Sequence, residues 1–322
     1  MNMRNRNSKY LIIVMLGILF VLAFSSPGGA AVQGKYLYNL SNFTGTIRYE
    51  WVRVFFDRVN NEIYVSNRSD RSVRIFNENG MEIYSFGDDE ALGAVVDGQV
   101  EKDGKILLLC YKTDESGSKY SIVRCNFRGE PKAEIDFKNI PDNFSDMGPM
   151  RMVLRGESLY LADLNKMKIV ITDMNGVFKE GYDIVSLLEL KEQQRAESGL
   201  GGFSVDKEGN MFFTVPTLFR AYKLSPDRKM VDFGRKGSGP GKFSVISGIV
   251  SDDEGYIYVA DKLRCVVMIF DKEFRFQNEF GYRSLRPGGL IAPNDLEVDA
   301  NGRLYVTQMR KRGISVYKIS YK

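Results

Sequence analysis

The chain contains no histidine and only three cysteines, Cys110, Cys125 and Cys265, none of them spaced as a CxxC pair. These absences exclude histidine-based nucleophilic triads, histidine-ligated zinc and haem attachment through a C-x-x-C-H motif. Tryptophan occurs once in 322 residues. Long apolar runs are nearly absent too. The one present, Leu11 to Phe24, is shorter than the roughly 20 residues a membrane-spanning helix needs.

An excess of charge is also missing. The 45 basic and 41 acidic residues give a net charge of +4. Three of the basic residues, Arg4, Arg6 and Lys9, precede the apolar run, and no acid accompanies them. The run is followed by Ser25, Ser26, Pro27, Gly28, Gly29, Ala30 and Ala31. This is the layout of a secretory signal peptide, with cleavage expected after Ala31. If it stays uncleaved, the segment would be a membrane anchor. Residues 1–31 are therefore read as a signal and 32–322 as the folded domain, which carries 42 basic against 41 acidic residues. The protein is expected to be periplasmic or extracellular. Any electrostatic preference must come from uneven distribution of charge rather than from its sum.

What the sequence does have is 17 tyrosines, 21 phenylalanines and 31 glycines. Half-buried aromatics suit pleated sheets and glycines suit turns. A unit recurs from Trp51 to the end. It has a tight turn, an apolar–aromatic–apolar strand, a polar turn and a second strand. The first strand reads Ile63-Tyr64-Val65, Ile106-Leu107-Leu108, Leu159-Tyr160-Leu161, Met211-Phe212-Phe213, Ile257-Tyr258-Val259 and Leu304-Tyr305-Val306. The central residues lie 43, 53, 52, 46 and 47 positions apart. Six copies at that period specify a six-bladed β-propeller of four-stranded antiparallel blades. The last copy stops at Tyr321-Lys322, without the outer strand that the other copies carry. Lys35 to Leu40 is expected to supply it beside the strand containing Val316, closing the ring and pairing edges otherwise exposed.

Phe233-Gly234, Gly237, Gly239-Pro240-Gly241, Phe243, Ile249-Val250, Asp252, Gly255, Ile257-Tyr258-Val259-Ala260-Asp261, Val267 and Ile269-Phe270-Asp271 together resemble an NHL repeat. The sixth copy repeats the middle of it, and the second and third are degenerate. The resemblance spans about residues 51–319 and implies the propeller fold far more strongly than any function.

Three further expectations are local. Ile184 to Ala196, with Leu187, Leu188 and Leu190 and no Gly or Pro, reads as one short helix. Gly117-Ser118 lies midway between Cys110 and Cys125, so a hairpin turning there places them opposite one another, within disulfide reach. Cys265 is expected to be unpaired.

Two functional readings compete. The first is a protein-interaction or scaffolding propeller with an acidic partner. In an antiparallel blade, the second-to-third-strand loops share a face with the inter-blade connections. On this loop face, neighbouring copies carry Arg68, Arg71, Lys262, Arg264, Arg310, Lys311 and Arg312, joined by Arg235, Lys236, Lys242, Arg283 and Arg286. Acids gather elsewhere, as in Asp88-Asp89-Glu90. A protein or an anionic glycan of the cell envelope fits this arc. Nucleic acid does not, given export and the scarcity of aromatics in these loops.

The second reading is a metal-dependent lactonase-like hydrolase. Pro293-Asn294-Asp295 is similar to a metal-ligand segment of gluconolactonase-type propellers, and Glu50 falls near the place of their glutamate. A calcium ion needs about six to eight oxygen ligands, and the other copies supply nothing equivalent. Asn294 and Asp295 are accordingly read as a turn, with no catalytic residue, metal or cofactor assigned.

Overall fold

The computed structural model describes residues 32–42, 45–46, 52–69, 71–87, 92–114, 117–309 and 312–321. These form six sheets of four antiparallel strands. The first strands of the successive blades are Val52–Asp57, Ala94–Val100, Arg151–Arg155, Gly202–Val205, Ile246–Ser251 and Pro293–Val298. Each touches the next, and the sixth touches the first, so they line a closed central channel. The architecture is a six-bladed β-propeller.

The repeated apolar–aromatic–apolar triplets are the second strands. Their side chains alternate between the two faces of a blade and pack against both neighbouring blades, which is why all but the half-buried Tyr160 are buried. Tyr64 stacks on Phe55 and Phe213 on Tyr222, at centroid separations of 5.3 and 5.2 Å.

The ring closes as expected. Gln33–Asn39 pairs antiparallel with Ile314–Ser320, placing Lys35 opposite Lys318, Tyr36 opposite Tyr317 and Tyr38 opposite Val316. The Ser315 hydroxyl donates to Asn39 Oδ1 at 2.7 Å, and the Leu40 amide to the Ile314 carbonyl at 3.0 Å. Asn278, on the outer strand of blade 5, donates to the Val32 carbonyl at 2.8 Å. The first described residue is thus tied to the blade beyond the closure.

The glycine-rich part of the repeat has a steric reason. After blade 4 the chain folds back, with Phe243 N–H donating to Arg235 O and Gly237 N–H to Phe243 O. This carries the Phe243 ring into the core, against Gly234. A β-carbon on Gly234 would lie 2.0 Å from that ring, and its φ of +83° already disfavours other residues. The repeat's aspartates close turns. Asp206, Asp252 and Asp299 each accept two backbone N–H groups in the turn between first and second strands. Asp163 and Asp261 do the same in the loop between second and third strands.

Three local expectations need correction. The hairpin of blade 2 turns between Asp114 and Gly117, so Cys110 faces Ser121 and Cys125 faces Ile106. The two cysteines lie four ladder positions apart, too far for a bridge, and all three cysteines are buried. The segment after blade 3 is two helices, Ile184–Leu187 and Glu192–Glu197. Glu189 takes a left-handed φ of 51° between them. That reversal lets Leu187, Leu188 and Leu190 all pack on the core between blades 3 and 4, which one straight helix does not allow. Asn294 and Asp295, finally, form no turn. They sit in the first strand of blade 6, at an irregularity between Pro293 and Leu296.

Candidate functional site

Two ends of the channel are distinguished by the chain path. One, the turn face, carries the links between first and second strands. The other, the loop face, carries the second-to-third-strand loops and the inter-blade connections.

Five of the seven basic residues expected to form a binding arc are described, and all lie on the loop face. Arg310 and Lys311 fall outside the described residues. Arg68 and Arg71 are exposed, with the Arg68 guanidinium 5.7 Å from the centre of the Tyr111 ring. Lys262 is half-buried. Burial lowers the pKa of its ammonium, Asp295 opposes that shift and Arg53 adds to it. Arg264 and Arg312 have structural partners. Arg264 Nη2 pairs with Glu279 Oε1 at 2.5 Å, and its Nη1 donates to the Lys242 carbonyl at 3.3 Å. Arg312 Nη1 donates to the Leu285 carbonyl at 2.9 Å, fastening the connection between blades 5 and 6. Both brace loops.

The apolar content of this face was missed by a reading confined to charge. Val245, Leu263, Tyr282, Leu285 and Met309 are exposed, Leu285 by 73% and Leu263 by 57%. All five lie on loop-face segments of blades 5 and 6, where Lys262 N–H donates to Val245 O at 2.8 Å and Arg283 Nη2 to Leu263 O at 2.8 Å. Exposed Arg283 and Arg286 flank the cluster.

Inside the channel a charged lock joins four blades. Arg151, 1% exposed, projects from the first strand of blade 3. Its Nη1 donates to Asp295 Oδ2 and its Nη2 to Glu297 Oε1, both at 2.5 Å, and Nε lies 3.5 Å from Asp97 Oδ2. Arg53 of blade 1 donates to the same Asp295 oxygen at 3.0 Å. Asp97 is held further by the amides of Gly98 and Met152, both at 2.9 Å. Burial raises the pKa of Asp97 while Arg151 opposes it. Burial pushes Glu297 up to about 7, against the pull of Arg151.

Asp295 was also the one described carboxylate of the lactonase-like reading. Two guanidiniums occupy it, and a guanidinium is a poor neighbour for a metal cation. Glu50 lies outside the described residues. Among the described residues no group of three or more His, Cys, Asp or Glu side chains is placed to hold a metal ion. No described helix is long and apolar enough to cross a membrane.

No family model and no curated protein sequence matches the chain. Solved structures do. A protein of unknown function from Bacteroides thetaiotaomicron aligns at TM-score 0.64 and 15% identity, over 90% of this chain and 76% of that one. A catalytically inactive virginiamycin B lyase from Staphylococcus aureus, solved with quinupristin, aligns at TM-score 0.52 and 13% identity, over 89% and 88%. A gluconolactonase from Xanthomonas campestris aligns at TM-score 0.57 and 10% identity, over 92% and 99%. At these identities the likeness is one of fold.

Proposed function

We propose that this chain is an exported, NHL-type propeller whose loop face, over blades 5 and 6, docks an acidic partner protein. The observation that carries this reading is the cluster of Val245, Leu263, Tyr282, Leu285 and Met309 standing in solvent beside Arg283 and Arg286. Exposed apolar side chains gathered in one place and edged by charge mark protein contact surfaces, where Tyr, Met and Arg are enriched and Lys and Glu depleted. The apolar component favours a protein over a glycan. The cations favour a partner with carboxylates, because a guanidinium pairs with a carboxylate through two parallel hydrogen bonds. Arg68 and Arg71, on the neighbouring blade, extend the positive surface. Arg264 and Arg312 support it from beneath.

The enzyme neighbours give less. The lyase structure is of a form inactivated by replacing one histidine with alanine, and this chain has no histidine. A lactonase-like hydrolase would need Asp295 released from Arg53 and Arg151.

The test is affinity capture from the native cell envelope with the wild type and with Leu263→Ser/Leu285→Ser. These side chains are exposed, so melting should be unchanged. The reading requires a partner captured by the wild type, lost with the double variant and rebound by the purified wild type. A partner held equally by both forms would refute it.

A further inference from the structure

The turn face carries a second feature, independent of the loop-face reading. A cavity of about 600 Å³ opens at this end of the channel, a size typical of small-molecule sites. It narrows inward to a throat of about 40 Å³ whose wall includes Phe56, Arg58, Gln99, Arg155, Ser204 and Glu297.

By formal charge the mouth is acidic, with seven acidic and four basic residues around it. Most of these acids already have partners, though they keep their charge. Asp57, Asp206, Asp252 and Asp299 each point into their own turns and accept backbone amides. Glu101 lies 3.2 Å from Arg124. The cations of the throat are less well matched. Arg155 Nε donates to the Val205 carbonyl at 2.9 Å and Nη1 to the Leu154 carbonyl at 2.8 Å. Among the described residues no carboxylate lies within 4 Å of its guanidinium. Burial, then the nearby charge of Arg58, pulls its pKa down, against the more distant carboxylates of Glu297, Asp206 and Asp253. Arg58 itself meets only Asp253, at 3.8 Å, with both side chains about half exposed. Beside them the Ser204 hydroxyl is buried and has no hydrogen-bond partner. Desolvated donors left without an acceptor cost free energy, more so when charged. The throat thus brings together a buried hydroxyl without an acceptor, Arg155 bonded only to backbone carbonyls, and Arg58 with one solvent-exposed carboxylate partner, a place where a small anion would be accepted.

We propose that the turn-face mouth of the channel binds a small organic carboxylate, its anionic end in the throat against Arg58, Arg155 and Ser204. A flat, singly charged carboxylate suits the space and pairs two-pronged with a guanidinium. The acidic rim opposes a doubly charged phosphate. The body of the ligand rests on the apolar part of the wall, Phe56, Leu154, Met174 and Val298.

The probe is phenylacetate, with its neutral amide, phenylacetamide, as the matched control. Saturation-transfer NMR and calorimetry on the folded chain should show phenylacetate binding at least about tenfold tighter than the amide. Arg58→Gln should weaken phenylacetate by about tenfold and leave the melting temperature unchanged, since its ion pair is solvent-exposed. Ser204→Ala should weaken it less. Leu263→Ser/Leu285→Ser should not affect it, which separates this site from the partner surface. Equal binding of acid and amide, no binding of either, or an unchanged affinity in Arg58→Gln would each overturn the proposal.

Discussion

Replacing Arg151 by methionine removes the centre of the channel lock while keeping its volume and unbranched stem. Three carboxylates, Asp97, Asp295 and Glu297, would then face one another with Arg53 as their remaining close cation. In the wild type the Arg151 side chain is 2% exposed and that of Asp97 is 1%, so water screens little of this. Breaking a buried ion pair by deleting one partner costs about 3–5 kcal/mol, because the remaining charges stay buried and uncompensated. In domains of 150–250 residues each kcal/mol shifts melting by about 2–4 °C, so Arg151→Met should melt on the order of 10 °C lower at neutral pH. The deficit should shrink toward pH 5 as the stranded carboxylates take up protons. Arg151→Met/Glu297→Gln, with one charge fewer, should recover part of the loss. Thermal denaturation followed by circular dichroism at pH 5 and pH 7.5 measures all three forms. An Arg151→Met protein within about a degree of the wild type at pH 7.5 would refute the reasoning, since the lock would then hold nothing together.

Glu297 gives a pH signature of its own in the wild type. Its folded value of about 7 lies above the ordinary 4.5. Below the ordinary value both states are protonated and nothing is lost. Between the two the unfolded chain releases a proton that the folded one keeps, so stability should fall by about 1.4 kcal/mol per pH unit as pH rises toward 7. Glu297→Gln should flatten that slope in urea midpoints, and a slope as steep as the wild type's contradicts the assignment. Deleting residues 33–39 should lower the urea midpoint and broaden the transition, because it strips the outer strand from blade 6; an unchanged curve would contradict the closure. A β-carbon on Gly248 would lie 2.7 Å from the Asp295 backbone, so Gly248→Val should cost at least about 1–3 kcal/mol, read in the same denaturation assay. Thiol titration of the denatured, unreduced protein should count three cysteines, and a count of one would restore the Cys110–Cys125 bridge.

The blades were legible because the second strands are buried on both faces and must repeat an apolar–aromatic pattern at every copy. The ring closure was legible for a related reason. A sixth copy lacking its outer strand, and an unused strand-like segment at Lys35 to Leu40, can satisfy one another only by pairing. The basic loops were legible as positions but not as roles. Whether Arg264 faces solvent or Glu279 depends on side-chain direction, which spacing does not supply. The channel lock was missed because its partners lie 144 and 146 residues apart in the chain. A signal was present. Arg53, Asp97, Arg151 and Asp295 stand within the first strands of four different copies, and charge recurring at inner positions of a closed ring has the channel to enter. The blade 2 hairpin was misjudged because Gly117 opens its strand rather than sitting at the tip of the turn.

Partner docking is proposed on the loop face of blades 5 and 6. Hydrogen exchange of the protein alone and in complex with the captured partner tests it most directly. Slowed exchange should be confined to residues 244–246, 262–265, 282–286, 309 and 312, where loops carry the exposed apolar cluster. Protection appearing instead on the turn-face links, around residues 58–61, 206–210 and 252–256, would contradict it.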